Sequence, residues 1–162
     1  MYSFIFDADA LIKLTQSELI IKVCESFNCF ITTRVKEETV DEGKKRFYPD
    51  ADIIEKLVKN KSLKIRDPNK TIKIEEDFGA GELSTLSLYE DTRNHIIVSD
   101  DQHFINYLEK NNIDFIVPAD VIILLKRFKK IGLEEGMHYL NKIRVFIREE
   151  VYTSVKKDLE ED

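Results

Sequence analysis

FIFDADAL (4–11) is an apolar run stopped by an acid. Phe4, Ile5 and Phe6 carry no polar residue between them, as a strand buried on both faces requires, and a helical pattern follows from Ala8 through Leu14. The unit is strand then helix, with Asp7 and Asp9 at the junction, where both face the crevice beyond the strand's carboxyl end.

The same unit recurs along the chain. Ser17 caps a helix over 18–26 that turns Leu19, Ile20, Val23 and Phe27 inward, and Cys29 to Thr32 is a second short strand. Thr33 begins a helix over 34–42, Pro49 suits the first turn of a helix over 50–60, and SLKIR (62–66) is a third strand. TIKIE (71–75) alternates in the manner of an edge strand. Gly79 and Gly81 then open a helix carrying Leu83, Leu86, Leu88 and Tyr89. A fourth strand, His95 to Val98, leads to a helix over 101–110, and a fifth runs from Ile113 to Val117. Pro118 starts a helix that reaches about residue 130 and is ended by Gly132; residues 134–159 are helical and amphipathic. Such alternation predicts an α/β fold: three layers, α/β/α, around a central, mostly parallel sheet of about five strands. At 162 residues the chain is expected to form a single domain, with the helices from about 134 as an extension.

Bulk properties narrow the class. With 43% hydrophobic and 35% charged residues and five Gly, disordered and collagen-like chains are excluded. Asp7 and Asp9 interrupt the first apolar run and no basic leader precedes it, so no secretory signal or membrane span is expected, and the cytoplasm is the expected location. Cys24 and Cys29 lack the spacing of a zinc clip and are read as reduced core residues. A net charge of −6 argues only weakly against a nucleic-acid partner, because basic groups cluster at Lys44-Lys45-Arg46, at Lys126, Arg127, Lys129 and Lys130, and at Lys142, Arg144 and Arg148.

Four acidic clusters fall at strand ends: FIFDADAL (4–11), VKEETV (35–40), GAGELSTL (79–86) and IIVSDDQHF (96–104). Taken singly, each has a simpler reading. Asp7 or Asp9 suits a helix N-cap, Glu37 and Glu38 an exposed pair, and Glu82 the first turn of a helix. Ser99 with Gln102 has capping-box spacing, which would make Asp100 and Asp101 ordinary first-turn acids. Capping does not explain why all four lie at one edge of one sheet. Carboxylates repel one another and resist desolvation, so gathering them is best explained by divalent cations between them. Mg²⁺ or Mn²⁺, which prefer oxygen ligands, would polarise a phosphoryl oxygen and activate water without a His or Ser nucleophile.

These residues resemble the PIN-domain nucleases, in particular their toxin-like and archaeal stand-alone members. FDADALI matches that family's first motif, with Asp9 where a small polar residue is usual; ITTRVKEETV supplies its Glu, Glu38 aligning better than Glu37. GAGELSTLSLYE gives Glu82, and SDDQHF gives Ser99, Asp101 and Phe104, the doublet leaving Asp100 as an alternative ligand. The motifs span about 1–118. The resemblance implies a metal-dependent endoribonuclease in which Asp7, Glu38, Glu82 and Asp101 hold Mg²⁺ or Mn²⁺, with Ser99 supporting and Asp9 and Asp100 as further candidate metal residues around them. It also implies an RNA substrate, an antitoxin-type protein partner, a role as the toxin of such a pair, and a homodimer.

Two other readings compete. A haloacid-dehalogenase-type phosphatase also has a strand ending Asp-x-Asp, but Leu11 stands where that family has Thr or Val, and IIVSDD has Ser where its Gly is expected. A catalytically inert RNA- or protein-binding module is the other, although all four acidic positions are filled.

Overall fold

A computed structural model describes residues 1–161. The strands β1 (Ser3–Phe6), β2 (Asn28–Ile31), β3 (Leu63–Ile65), β4 (Ile96–Val98) and β5 (Phe115–Ile116) form one sheet in the order β3-β2-β1-β4-β5, every pairing parallel. β1 lies at the centre, its Phe4 level with Cys29 of β2 and Ile96 of β4.

Side chains divide between the faces with the period of two that a strand imposes. Phe4, Phe6, Cys29, Ile31, Leu63 and Val98 join the larger core, which is completed by α1 (Ala8–Gln16), α2 (Leu19–Ser26), α5 (Pro49–Lys59), α8 (Asp120–Arg127), α9 (Leu133–Ile143) and α10 (Glu149–Glu161). Ile97 joins a smaller core with Leu86 of α6 (Ala80–Thr92) and Phe104 and Leu108 of α7 (Gln102–Lys110). The result is a three-layer α/β/α fold. Phe4, Ile5 and Phe6 are wholly buried, which at roughly 1.5–3 kcal/mol for each large apolar side chain fixes the central strand firmly.

Between β2 and α5 the chain forms α3 (Thr33–Lys36), a π-helical segment (Glu37–Asp41) and α4 (Glu42–Lys45). Val35 and Val40 are both fully buried although five residues apart. The wider π turn matches that spacing, so both reach the core while Glu38 stays outside it.

Several local expectations are corrected. TIKIE (71–75) forms no strand: β3 and β5 are the sheet's edges, and Ile72 and Ile74 instead pack against the smaller core from an extended loop. Their alternation records one-sided burial without a partner strand. Ser17 ends α1 rather than starting α2; its hydroxyl donates to the carbonyl of Leu14, and Glu18, in the left-handed region at φ 64°, precedes α2. Pro118 lies two residues ahead of α8, and Gly132 is the N-cap of α9 rather than the stop of α8. The C-terminal region is broken by a 3-10 turn at Arg144–Phe146. Cys29 is buried and Cys24 packs beside the same core, both as free thiols.

Candidate active site

The strand order reverses direction at β1, with β2 on one side and β4 on the other. Ligands in such sheets settle beyond the carboxyl ends of the strands at that reversal. Asp7 follows β1 and Ser99 follows β4, so both stand at the reversal point.

A crevice of about 260 Å³ opens here, lined by Asp7, Ala8, Asp9, Glu38, Gly79, Gly81 and Glu82. Asp7 is its floor. Only 2% exposed, it accepts the backbone N–H of Ala10 on Oδ1 at 2.9 Å, as the N-cap of α1, and the hydroxyl of Ser99 on Oδ2. Capping and convergence therefore coexist in one side chain. Burial pushes its carboxyl up to about 7, against the lowering effect of the Ser99 and Ala10 hydrogen bonds, with Asp9 and Glu82 adding repulsion. Among the described residues no cation is paired with it.

Glu38 enters from the π segment. Its Oε1 accepts the backbone N–H of Gly81 at 3.1 Å. Desolvation against this wall raises its pKa, the Gly81 bond and Arg34 opposing, while Asp9 and Glu37 repel it. The contact depends on a neighbouring clamp: Thr32 caps α3 through the Val35 N–H at 3.2 Å and meets the Ser84 hydroxyl at 2.6 Å, and Ser84 donates to the Gly81 carbonyl at 2.8 Å. α3 and α6 are thus tied together beside the acid.

Glu82 comes from the first turn of α6 and reaches back to accept the N–H of Gly79 on Oε2 at 3.1 Å, half of a capping box. Desolvation raises its pKa, with further repulsion from Asp101 and Asp9. Asp101 caps α7 by accepting the Phe104 N–H on Oδ1 at 2.8 Å, and its own N–H reaches Ser99 Oγ at 3.3 Å. The expected capping box of Ser99 with Gln102 does not form. Ser99 instead links Asp7 to the backbone of Asp101.

Two neighbours point elsewhere. Neither acid of the β4–α7 loop lines the crevice itself: Asp100 is held by Lys13 on the loop's opposite side, while Asp101 stays beside the site through its bond to Ser99 and its repulsion of Glu82. Glu37 pairs with Arg34 at 3.0 Å on the outer surface. Asp9, by contrast, lines the crevice beside Asp7. Exposed His103 rests its ring against Phe78 with centroids 4.9 Å apart, and Lys36 is engaged with Asp41 at 2.9 Å.

Reading the sequence missed Gly81 as a contact of Glu38. A Cβ there would lie 2.6 Å from Glu38 Oε2, so only glycine permits this approach. The available signal was a second glycine inside a helix start, where it costs about 1 kcal/mol relative to alanine.

The donor chemistry fits a hard divalent cation: carboxylate oxygens only, raised pKa values at three of them, and a buried acid with no basic partner. Among the described residues no three His, Cys, Asp or Glu side chains form a ready-made cage, so the acids line an open crevice. Nor is any described helix long and apolar enough to cross a membrane.

Comparison with curated proteins and with solved structures gave no significant match. A family model described as a PIN domain matches residues 3–161. PIN domains are in general metal-dependent nucleases acting on nucleic acid, typically with divalent ions such as Mg²⁺. With nearly its whole length matched, and with acids gathered at the reversal point of a parallel sheet, this chain belongs to the PIN-domain family.

Proposed function

We propose that the protein is a Mg²⁺- or Mn²⁺-dependent endoribonuclease whose metal ligands are Asp7, Glu38, Glu82 and Asp101. The observation that carries this reading is Asp7, a buried carboxyl at the sheet's reversal point without a cation beside it, facing a crevice shared with Glu38 and Glu82. Structural acids at such burial normally acquire a basic partner. A bound divalent ion would polarise the scissile phosphodiester and lower the pKa of an attacking water.

The chain's own side chains do the positioning. Ser99 donates to Asp7 Oδ2 and so favours its ionised form, while Ala10 fixes the other oxygen. Gly81 holds Glu38 from the far wall. Asp101 uses Oδ1 for capping, and its Oδ2 has no hydrogen-bond partner among the described residues. Asp9 adds negative charge at the mouth, whereas the Lys13 pairing argues against Asp100 as a ligand.

From the family resemblance we further propose an antitoxin-type partner, a homodimer and a cytoplasmic setting for a toxin of this kind. Family membership sets aside the dehalogenase-type phosphatase. Mixed RNA pools incubated with Mn²⁺ or EDTA, using wild type, Asp7→Asn and Asp101→Asn, test the proposal. Metal-dependent cleavage confined to wild type is expected; equal cleavage by all three proteins would refute it.

A further inference from the structure

A second cavity, of about 530 Å³, lies at the same edge of the sheet, beyond β4 and β5. Ile105, Val117, Phe146, Ile147 and Val151 give it apolar walls, and Lys13, Asp100, Gln102 and Arg148 supply its polar groups. Most of one wall comes from residues 145–151, which run from the 3-10 turn after α9 into the first turn of α10. The loop Ser99-Asp100-Asp101 divides it from the acidic crevice. Consecutive acids take opposite sides: Asp101 acts on Glu82, whereas Asp100 pairs with Lys13 in the cavity.

We propose that this cavity is a nucleotide subsite, taking the residue of a bound single strand next to the scissile phosphate; the proposal rests on the nuclease reading above. Its volume falls within the roughly 300–1,000 Å³ of small-ligand sites, which combine apolar walls with a few placed polar groups. A base presents apolar faces to Val117, Phe146 and Ile147, and hydrogen-bonding edges to Gln102 and Asp100. Its phosphate needs local cations, because the chain as a whole carries −6. Arg148 is exposed, and among the described residues no acid is paired with it. Lys13 lines the cavity beside its partner Asp100 and can offer a phosphate oxygen a second cation while Asp100 meets the base. The helices that follow residue 132 thereby acquire a role in substrate binding.

Two surface variants test it: Arg148→Glu, which reverses the cation, and Val145→Asp, which puts a carboxylate at an 80% exposed position on the rim. Binding of AMP, GMP, CMP and UMP is followed by amide NMR in EDTA, and KM is measured on a single-stranded RNA with Mn²⁺. The expected result is nucleotide-induced shifts at Gln102 and residues 145–151, lost in both variants, with KM on the strand raised in both, about tenfold in Arg148→Glu through the loss of one charge-assisted phosphate contact. Absence of shifts at millimolar nucleotide with unchanged KM would overturn it. Nucleotide binding with KM unaffected in the variants would overturn it too, marking a site for free nucleotides. Shifts driven by protein concentration alone would replace it with a contact between copies of this chain. Binding in EDTA needs no catalysis, so an inactive protein that still binds nucleotide retracts the nuclease reading and not the cavity.

Discussion

Gly81 donates its backbone N–H to Glu38 Oε1 at 3.1 Å, from a position where any Cβ would lie within 3.0 Å of all three atoms of that carboxyl group. Glu38 is therefore placed by the absence of a side chain 43 residues away in sequence.

Gly81→Ala is expected to separate activity from stability. The clashing atoms are the mobile end of Glu38, so the fold adjusts by moving that carboxylate, and alanine gains up to about 1 kcal/mol of helix propensity. Cleavage and Mn²⁺ affinity should fall about 10- to 100-fold while the melting temperature holds or rises. Thermal melts beside Mn²⁺ titrations check this; a fall in melting temperature with Mn²⁺ affinity intact would speak against it.

Asp7 makes the metal-free protein sensitive to pH. Its carboxyl rises from 3.8 to about 7 on folding, so between those values the native state binds more protons than the unfolded chain. Stability from this group is full below about pH 4 and lost as pH rises through about 7. The raised pKa values of Glu38 and Glu82 act in the same sense. In EDTA, wild type should be more stable at pH 5 than at pH 8. Asp7→Asn should recover roughly 1–4 kcal/mol at pH 8 while abolishing cleavage. Urea denaturation at the two pH values measures both parts; equal stability of wild type at both would contradict the burial argument.

Ser99→Ala removes the hydroxyl that favours ionised Asp7. The acid limb of the pH–rate profile should move upward, so that the rate lost near neutrality is partly recovered at higher pH. A uniform loss at every pH would mean that Ser99 acts only through structure.

The two doublets give a direct contrast. Glu37 is committed to Arg34 on the surface, so Glu37→Ala should alter stability by no more than about 0.5 kcal/mol and leave cleavage within a few-fold. Glu38→Ala should reduce cleavage by about 100-fold or more. Parallel kinetics of the two variants decide the matter, and a larger loss from Glu37→Ala would exchange their roles.

The sheet was readable because both of its faces are covered: FIF, NCFI and IIV are unbroken or nearly unbroken apolar runs, each stopped by a polar residue where the strand meets the open edge. Asp7 could be located for the same reason, whereas Glu82, expected after a strand at TIKIE, comes from the first turn of α6 behind an extended loop. What local pattern left open depends on side-chain direction. Glu38 rather than Glu37 faces the crevice across a π turn that lets both Val35 and Val40 be buried, and Asp100 is engaged by Lys13, 87 residues away in sequence. TIKIE misled because alternation reports which side is buried, while hydrogen-bonding partners are set by the rest of the fold. The cavity beyond β5 was illegible, since its walls come from α1, the β4 and β5 loops and the α9–α10 junction.

Mn²⁺ binding at pH 8, measured by titration calorimetry or by the loss of free-ion EPR signal, shows whether Asp7 holds the metal when wild type, Asp7→Asn and Asp100→Asn are compared. One or two ions are expected to bind to wild type and to Asp100→Asn, and none with comparable affinity to Asp7→Asn. Mn²⁺ binding by Asp7→Asn equal to that of wild type would contradict that role for Asp7.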